Sequence, residues 1–351
     1  MISRTNNFDF LRLLFACAVV VTHSYPLSGL SDSDFLSDIT SSQIALSYLG
    51  VKGFFIISGY LIFKSLLRCE NLLDFYWKRI LRLFPALIVV LILTVLLAPF
   101  VYEGTVPYLK NKSVLTYISQ NISLFFLQFK IEGVFENNPY KGVINGSLWT
   151  ICYEFSMYIM VSLLFFIRKK SFLKAVVIII FISSYILSLF YPNFLNRPLL
   201  NIFSLSSISL YDLMCFFTGG MILTYLNISN KKLENIIIIT SFIVLLGSLY
   251  FKIFNYTCFF TLPLLVILIG KNSTKYINEI GHIFGDISYG IYIYSFPIQQ
   301  ALMYFFKLDQ FCLMSISLLL SIIIGYVSWH LVEKKALGYK NLVVNLETKV
   351  K

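Results

Sequence analysis

Three groups of residues in this chain have the types and spacing to do chemistry. The first is Asp9, Arg12 and His23, joined by the uncharged run LLFACAVVV over residues 13–21. On a helix, Arg12 and His23 lie eleven residues apart, about 16 Å along the axis, and return to nearly the same face. Asp9 is one turn before Arg12 on that side, where it can pair with it. One helix face would carry a fixed cation near one end and an imidazole, a proton carrier at neutral pH, near the other. The simpler alternative is a snorkelling helix end with a structural histidine.

The second group is Arg79 and Arg82, in the stretch Trp77-Lys78-Arg79-Ile80-Leu81-Arg82-Leu83-Phe84-Pro85. They are neighbours on one helical face, and two guanidiniums side by side suit bidentate phosphate recognition. A basic cluster at an inner membrane surface is the alternative reading. The third group runs from Asn145-Gly146-Ser147-Leu148-Trp149 to Glu154. Counted from the start of its apolar segment, Glu154 is about 10 Å in from the outer surface. His23 is about 22 Å up from the inner surface of a core about 30 Å thick. Equal depth predicts an acid–base pair in which the carboxylate orients the ring, or else a structural hydrogen bond between helices.

The elements that must position these groups are membrane spans. Hydrophobic residues make up 58% of the 351 and charged residues 13%, against roughly half and a quarter in a soluble chain. Mean hydropathy is +0.80. The chain reads as an all-α membrane protein embedded in a lipid bilayer. Ten hydrophobic segments stand out, at about residues 8–25, 48–67, 80–101, 147–167, 173–191, 208–226, 234–251, 256–270, 287–306 and 311–332. An even number puts both termini on one side. Alternate loops hold 18 Lys and Arg against 7 in the others, counting Arg4, Lys349 and Lys351, so that side is expected to be cytoplasmic. Residues 1–335 read as one transmembrane domain and 336–351 as a basic cytoplasmic tail. The stretch 102–146 is expected to be partly interfacial. Gly50, Gly53 and Gly59 in the second segment predict close helix packing, and Lys52 beside them is expected to snorkel.

Composition also excludes some functions. The six cysteines are scattered without paired spacing, which suits apolar filler and neither a disulfide frame nor a metal site. The net charge of +11 fits basic loops at a membrane surface. Nucleic-acid binding would want that charge on a soluble domain, and none interrupts the pattern.

Taken together, the motifs resemble the acyltransferase type 3 family of integral membrane proteins. They are Arg12-x10-His23, Phe54-Phe-Ile-Ile-Ser-Gly-Tyr60, Arg79-x-x-Arg82-Leu-Phe-Pro85 and Ser147-Leu-Trp-x4-Glu154. Ile287-Ser-Tyr-Gly-Ile-Tyr-Ile-Tyr294 and Trp329-His-Leu-Val-Glu333 complete the order along the chain. Where many members have His-x-Pro, this chain has Ser295-Phe296-Pro297. The resemblance implies transfer of an acyl group, usually acetyl, from cytoplasmic acyl-CoA to a sugar hydroxyl of an envelope glycan, in the bacterial inner membrane. It further implies that Arg12, Arg79 and Arg82 hold the donor's phosphates and that His23 acts as base with Glu154. Asp9, Ser147 and Trp149 take supporting places, and no metal is involved. Direct transfer and a covalent acyl-histidine are both open. The rival class is a glycan transporter or flippase, for which paired halves would be the sign; no internal repeat is present.

Overall fold

The computed structural model describes residues 6–343, so Arg4, Lys349 and Lys351 lie outside the described residues. It is 75% helical, with no strand among those residues. We number the ten longest helical runs, α1 (Phe8–Leu27), α2 (Leu46–Arg68), α3 (Leu72–Leu97), α4 (Leu148–Ser162), α5 (Leu173–Phe190), α6 (Ser207–Ile222), α7 (Lys231–Tyr250), α8 (Phe254–Lys271), α9 (Ser288–Phe306) and α10 (Gln310–Ser328). Nine, counted with the helical turns that extend them, are long and apolar enough to cross a membrane. The exception is α9, whose Tyr289, Tyr292, Ser295, Gln299 and Gln300 are buried among the other helices. A helix enclosed by protein can carry such polar groups where a lipid-facing one cannot. At the other extreme α7 has only 11% of its apolar window buried, as an outer helix facing lipid would.

Loop contacts give the two ends of the bundle. The Asn7 amide donates to the Gly270 carbonyl at 2.9 Å, and the Trp77 indole donates to the Tyr339 carbonyl at 2.9 Å. The start of α1, the end of α8, the start of α3 and the segment after α10 therefore share one face. On the opposite face Gln43 Nε2 donates to the Leu249 carbonyl at 3.0 Å, and the Tyr304 hydroxyl donates to Glu103 at 2.8 Å. Both described ends of the chain lie on the first face.

Two helix boundaries differ from expectation in ways that matter for the site. The third span begins at Leu72 rather than near residue 80, because Asn71 caps it by accepting from the Asp74 amide at 2.7 Å. Lys78 then pairs with Asp74 one turn on, at 2.7 Å, so polar first turns can stay helical. Arg79 and Arg82 are thereby lifted off the surface; Arg82 is about 15 Å above the helix start. After α10 the chain continues through a π-helical turn at Trp329–Glu333 into short helices ending at Asn341. The first part of the expected tail is thus packed against α3.

The tightest crossing joins α2 to α6. A Cβ on Gly59 would strike the Phe217 carbonyl, and one on Gly220 would strike the Ile56 carbonyl. Small residues on both partners allow this approach, the usual device of membrane helices. Lys52 joins the same crossing. It is 7% exposed and pairs with Asp212 of α6, with the Tyr48 and Phe216 rings beside it. The snorkelling expected of Lys52 does not occur, because a counter-charge stands within reach.

The crossing can be tested on its own. Gly59→Ala overpacks it and is expected to destabilise by about 1–3 kcal/mol. Gly247→Ala on α7 meets nothing within 4 Å and gains helix propensity of up to about 1 kcal/mol. Thermal denaturation in detergent should show the first variant melting earlier and the second unchanged or later.

Candidate active site

A cavity of about 930 Å³ opens on the face that carries both described ends; Asn6 and Asn341 are among its lining residues. That volume is near the top of the range for small-molecule and cofactor sites, roughly 300–1,000 Å³. Its walls include eight Lys or Arg and two acidic residues, Asp9 and Glu154. Arg68 and Lys340 sit exposed at the rim. Further in, Val51, Phe54, Phe55, Ile151 and Tyr292 make an apolar upper part. Such a shape suits a ligand with an anionic head and a narrow uncharged arm.

Two helices, α1 and α3, bring the expected arginines together. Arg12 Nη1 of α1 lies 3.0 Å from Asp286 Oδ2 and 3.7 Å from Asp9. Arg82 Nη2 of α3 lies 2.6 Å from the same Asp286 oxygen, with Glu333 at 3.9 Å from its Nη1. Arg79 donates to Ser65 Oγ at 3.2 Å and lies over the Phe75 and Tyr158 rings; its buried Nε has no hydrogen-bond partner among the described residues. Arg12, Arg79, Arg82 and Asp9 all line the cavity. The sequence reading missed Asp286. It directly precedes the Ile287-Ser288-Tyr289 motif, and an acid abutting a span on its basic side was the available signal.

Glu154 lines the same cavity. Its Oε1 accepts from Ser58 Oγ of α2 at 2.9 Å and from the Tyr158 hydroxyl one turn along α4. No hydrogen bond to His23 is found among the described residues. The expected equal depth fails because α4 does not begin at the outer surface. Residues 138–147 descend along α9, with Asn138 Nδ2 donating to the Gln300 carbonyl and Asn145 Nδ2 to the Ile293 carbonyl, both at 2.9 Å. Thr150 is then level with Tyr292, hydroxyl to hydroxyl at 2.6 Å. Glu154 is one further turn toward the cavity mouth.

His23 lies on the other side of that level. Its ring packs edge-on to Phe296, centroids 5.3 Å apart, one turn of α9 beyond Tyr292. The vertical offset from Glu154 is on the order of 10 Å, counting a turn each way from Tyr292. Buried His23 Nδ1 has no hydrogen-bond partner among the described residues, and neither has buried Ser147 Oγ. Gly146, the neighbour of Ser147 in the chain, lies against the same Phe296 ring. Ser295 is fully buried and donates to the Tyr292 carbonyl at 3.3 Å. Trp149 packs edge-on to Tyr153 at 5.5 Å, away from the cavity lining. No group of His, Cys, Asp or Glu among the described residues is arranged to hold a metal.

Fold and site define a multi-pass membrane protein with a basic cavity below a buried histidine. Residues 5–330 match the family model described as an acyltransferase domain. The chain belongs to that family, acyltransferase type 3, and is a membrane acyltransferase. It is 32% identical to an O-acetyl transferase of Shigella phage Sf6 over 98% of this chain and 99% of the relative. Over 47% of the chain and 45% of the relative it is 32% identical to Nodulation protein 10 of Rhizobium leguminosarum bv. viciae. An uncharacterized protein of Haemophilus influenzae is 26% identical over 56% of the chain and 85% of its own length. No solved structure gives a significant match.

Packing around His23 yields a prediction. A Cβ at residue 146 would sit 2.7 Å from the Phe296 ring, which is itself 5% exposed and has little room to move. Gly146→Ala is expected to displace that ring against His23 and cut turnover at least tenfold, an overpacking strain of about 1–3 kcal/mol. Acyl-CoA binding, measured by calorimetry on the purified protein, should be unchanged.

Proposed function

We propose that this protein is an O-acetyltransferase that moves an acetyl group from cytoplasmic acetyl-CoA to a sugar hydroxyl of a cell-envelope glycan. The observation that carries the reading is the basic cavity: Arg12, Arg79 and Arg82 line it together with an apolar part made by Val51, Phe54, Phe55, Ile151 and Tyr292, while His23 is not among its lining residues. The similarity to a phage O-acetyl transferase along nearly its whole length supports the acetyl group and the hydroxyl acceptor. The excess of Lys and Arg in the loops on the cavity face supports a cytoplasmic placement of that face and of both termini. The setting would be the bacterial cytoplasmic membrane, with residues 1–335 forming the transferase and 336–351 a basic tail.

The chemistry divides along the axis of α1. Arginines near its start hold the phosphates of coenzyme A, each offering several donors to one anion. The pantetheine arm runs up the apolar wall, past Tyr292, and presents the thioester near His23. Neutral His23 takes the proton of the acceptor hydroxyl as its oxygen attacks the thioester carbonyl. The C–S bond breaks, the thiolate leaves with coenzyme A, and the imidazolium returns its proton to that sulfur. Ser147, buried and next in the chain to Gly146, supports the acceptor side. Glu154 stabilises the arginine-rich cavity rather than the imidazole, since its hydrogen bonds go to Ser58 and Tyr158.

This division predicts two separable defects. His23→Ala should lower transfer by about 10²–10⁴-fold, the usual worth of general base assistance, with acetyl-CoA affinity intact. Arg79→Ala or Arg82→Ala should weaken acetyl-CoA binding by roughly 1.5–3 kcal/mol, the range for a charged hydrogen bond. Mass spectrometry of envelope glycan from cells expressing each variant reads the first effect, and calorimetry reads the second. Undiminished glycan acetylation in His23→Ala cells would remove the base assignment.

A further inference from the structure

We propose that Asp286 is the positioning residue of the donor site, holding Arg12 and Arg82 side by side so that both present their free donors to one anionic group. The assignment rests on the donor reading of the cavity. Its geometry is specific: one oxygen, Oδ2, accepts from Arg12 Nη1 at 3.0 Å and from Arg82 Nη2 at 2.6 Å. The other oxygen, Oδ1, accepts from Ser288 Oγ at 2.6 Å. Asp286 thus ties α1 and α3 to the start of α9. Both arginines line the cavity, whereas Asp286 is absent from the cavity wall; it grips them from behind and does not itself reach the ligand space.

Two guanidiniums this close repel each other, and in a partly buried site that repulsion is only weakly screened. Side-chain exposures of 16% for Arg12, 24% for Arg82 and 13% for Asp286 put all three in such a site. Asp9 at 3.7 Å from Arg12, Glu333 at 3.9 Å from Arg82 and, farther off, Glu154 in the cavity wall also face them. Among the described residues Asp286 is the acid with a close ion pair to each arginine, which ties their spacing to its carboxylate. Each guanidinium has five N–H donors, which leaves most of them for a ligand after one bond to Asp286. The carboxylate is itself held by its backbone. Gly285 adopts φ +82°, and a Cβ there would collide with the Trp329 indole from the π-helical turn. That turn also carries Glu333.

The test is acetyl-CoA binding by calorimetry on the full-length protein in nanodiscs, for wild type, Asp286→Asn, Arg82→Ala and the double variant. Asp286→Asn should weaken binding about ten- to a hundredfold, the loss expected when charge-assisted geometry goes. The double variant should be little worse than the weaker single one, because both act through one arginine pair. Asp286→Glu, which keeps the charge, should recover part of the affinity. Wild-type affinity in Asp286→Asn overturns the proposal, and so does tighter binding, which would make the carboxylate a competitor of the ligand. Losses that simply multiply in the double variant also overturn it. If Asp286→Asn does not elute as monodisperse protein, Ser288→Ala carries the test, with binding weakened about threefold for one lost hydrogen bond. Unchanged affinity there overturns the proposal. No binding by the wild type would instead remove the donor reading itself.

Discussion

A charge inside a membrane bundle must find a counter-charge or a set of hydrogen bonds on another helix, since lipid offers neither. The arrangement of this protein follows from that constraint. Lys52 of α2 is matched by Asp212 of α6, across the closest helix crossing. Arg12 of α1 and Arg82 of α3 converge on Asp286 at the base of α9. Glu154 of α4 is met by Ser58 of α2. Near the opposite face, fully buried Asp34 accepts from Thr22 of α1 and from the Leu36, Ser37 and Leu46 amides. Each charge therefore joins two or more elements. Removing one partner leaves the other buried and unpaired, a loss of about 3–5 kcal/mol. Small-residue packing brings the helices close; the ion pairs fix which residues face each other.

Much of this was legible in the sequence. The all-helical membrane fold, the glycine-rich second helix and the grouping of Arg12, Arg79 and Arg82 all follow from hydropathy, spacing and motif, whereas ten spans were expected and nine of the described helices are long and apolar enough to cross. What stayed hidden has one physical cause. Hydropathy marks where a helix enters an apolar environment, not where its backbone begins or how deep its end lies. For α3 the polar first turns, stabilised by Asn71 and the Lys78–Asp74 pair, escaped detection, so the arginines looked like a surface cluster. For α4 the chain reaches its first turn only after descending along α9, so Glu154 looked shallower than it is. Long-range partners such as Asp212 and Asp286 are invisible for a related reason. A single acidic residue gives no sign of which of several cations it will meet.

The axial offset between Glu154 and His23 reshapes how the two residues relate. A carboxylate about one turn below Tyr292 and an imidazole about one turn above it cannot orient each other directly. Tyr292 stands between the two levels, its hydroxyl tied to Thr150 and its ring edge-on to Phe54 at 5.8 Å. Phe54 and Tyr292 both line the cavity, so this level is the apolar upper part of its wall.

The opposite approach to His23 comes from the segment that displaced α4. Residues 138–147 are held against α9 by Asn138, Asn145 and Gln300, the last donating from Nε2 to the Tyr140 and Val143 carbonyls at 2.8 and 2.6 Å. Backbone that is not helical is tolerated within a bundle only where protein satisfies its polar groups or where it borders a cavity. Side-chain amides do that here for most of the descent. At its lowest point Gly146 meets the Phe296 ring that also contacts His23, and buried Ser147 Oγ has no hydrogen-bond partner among the described residues. A re-entrant segment fastened by three amide side chains, in a bundle whose buried Ser147 hydroxyl and His23 Nδ1 have no hydrogen-bond partner among the described residues, is a costly feature for packing alone.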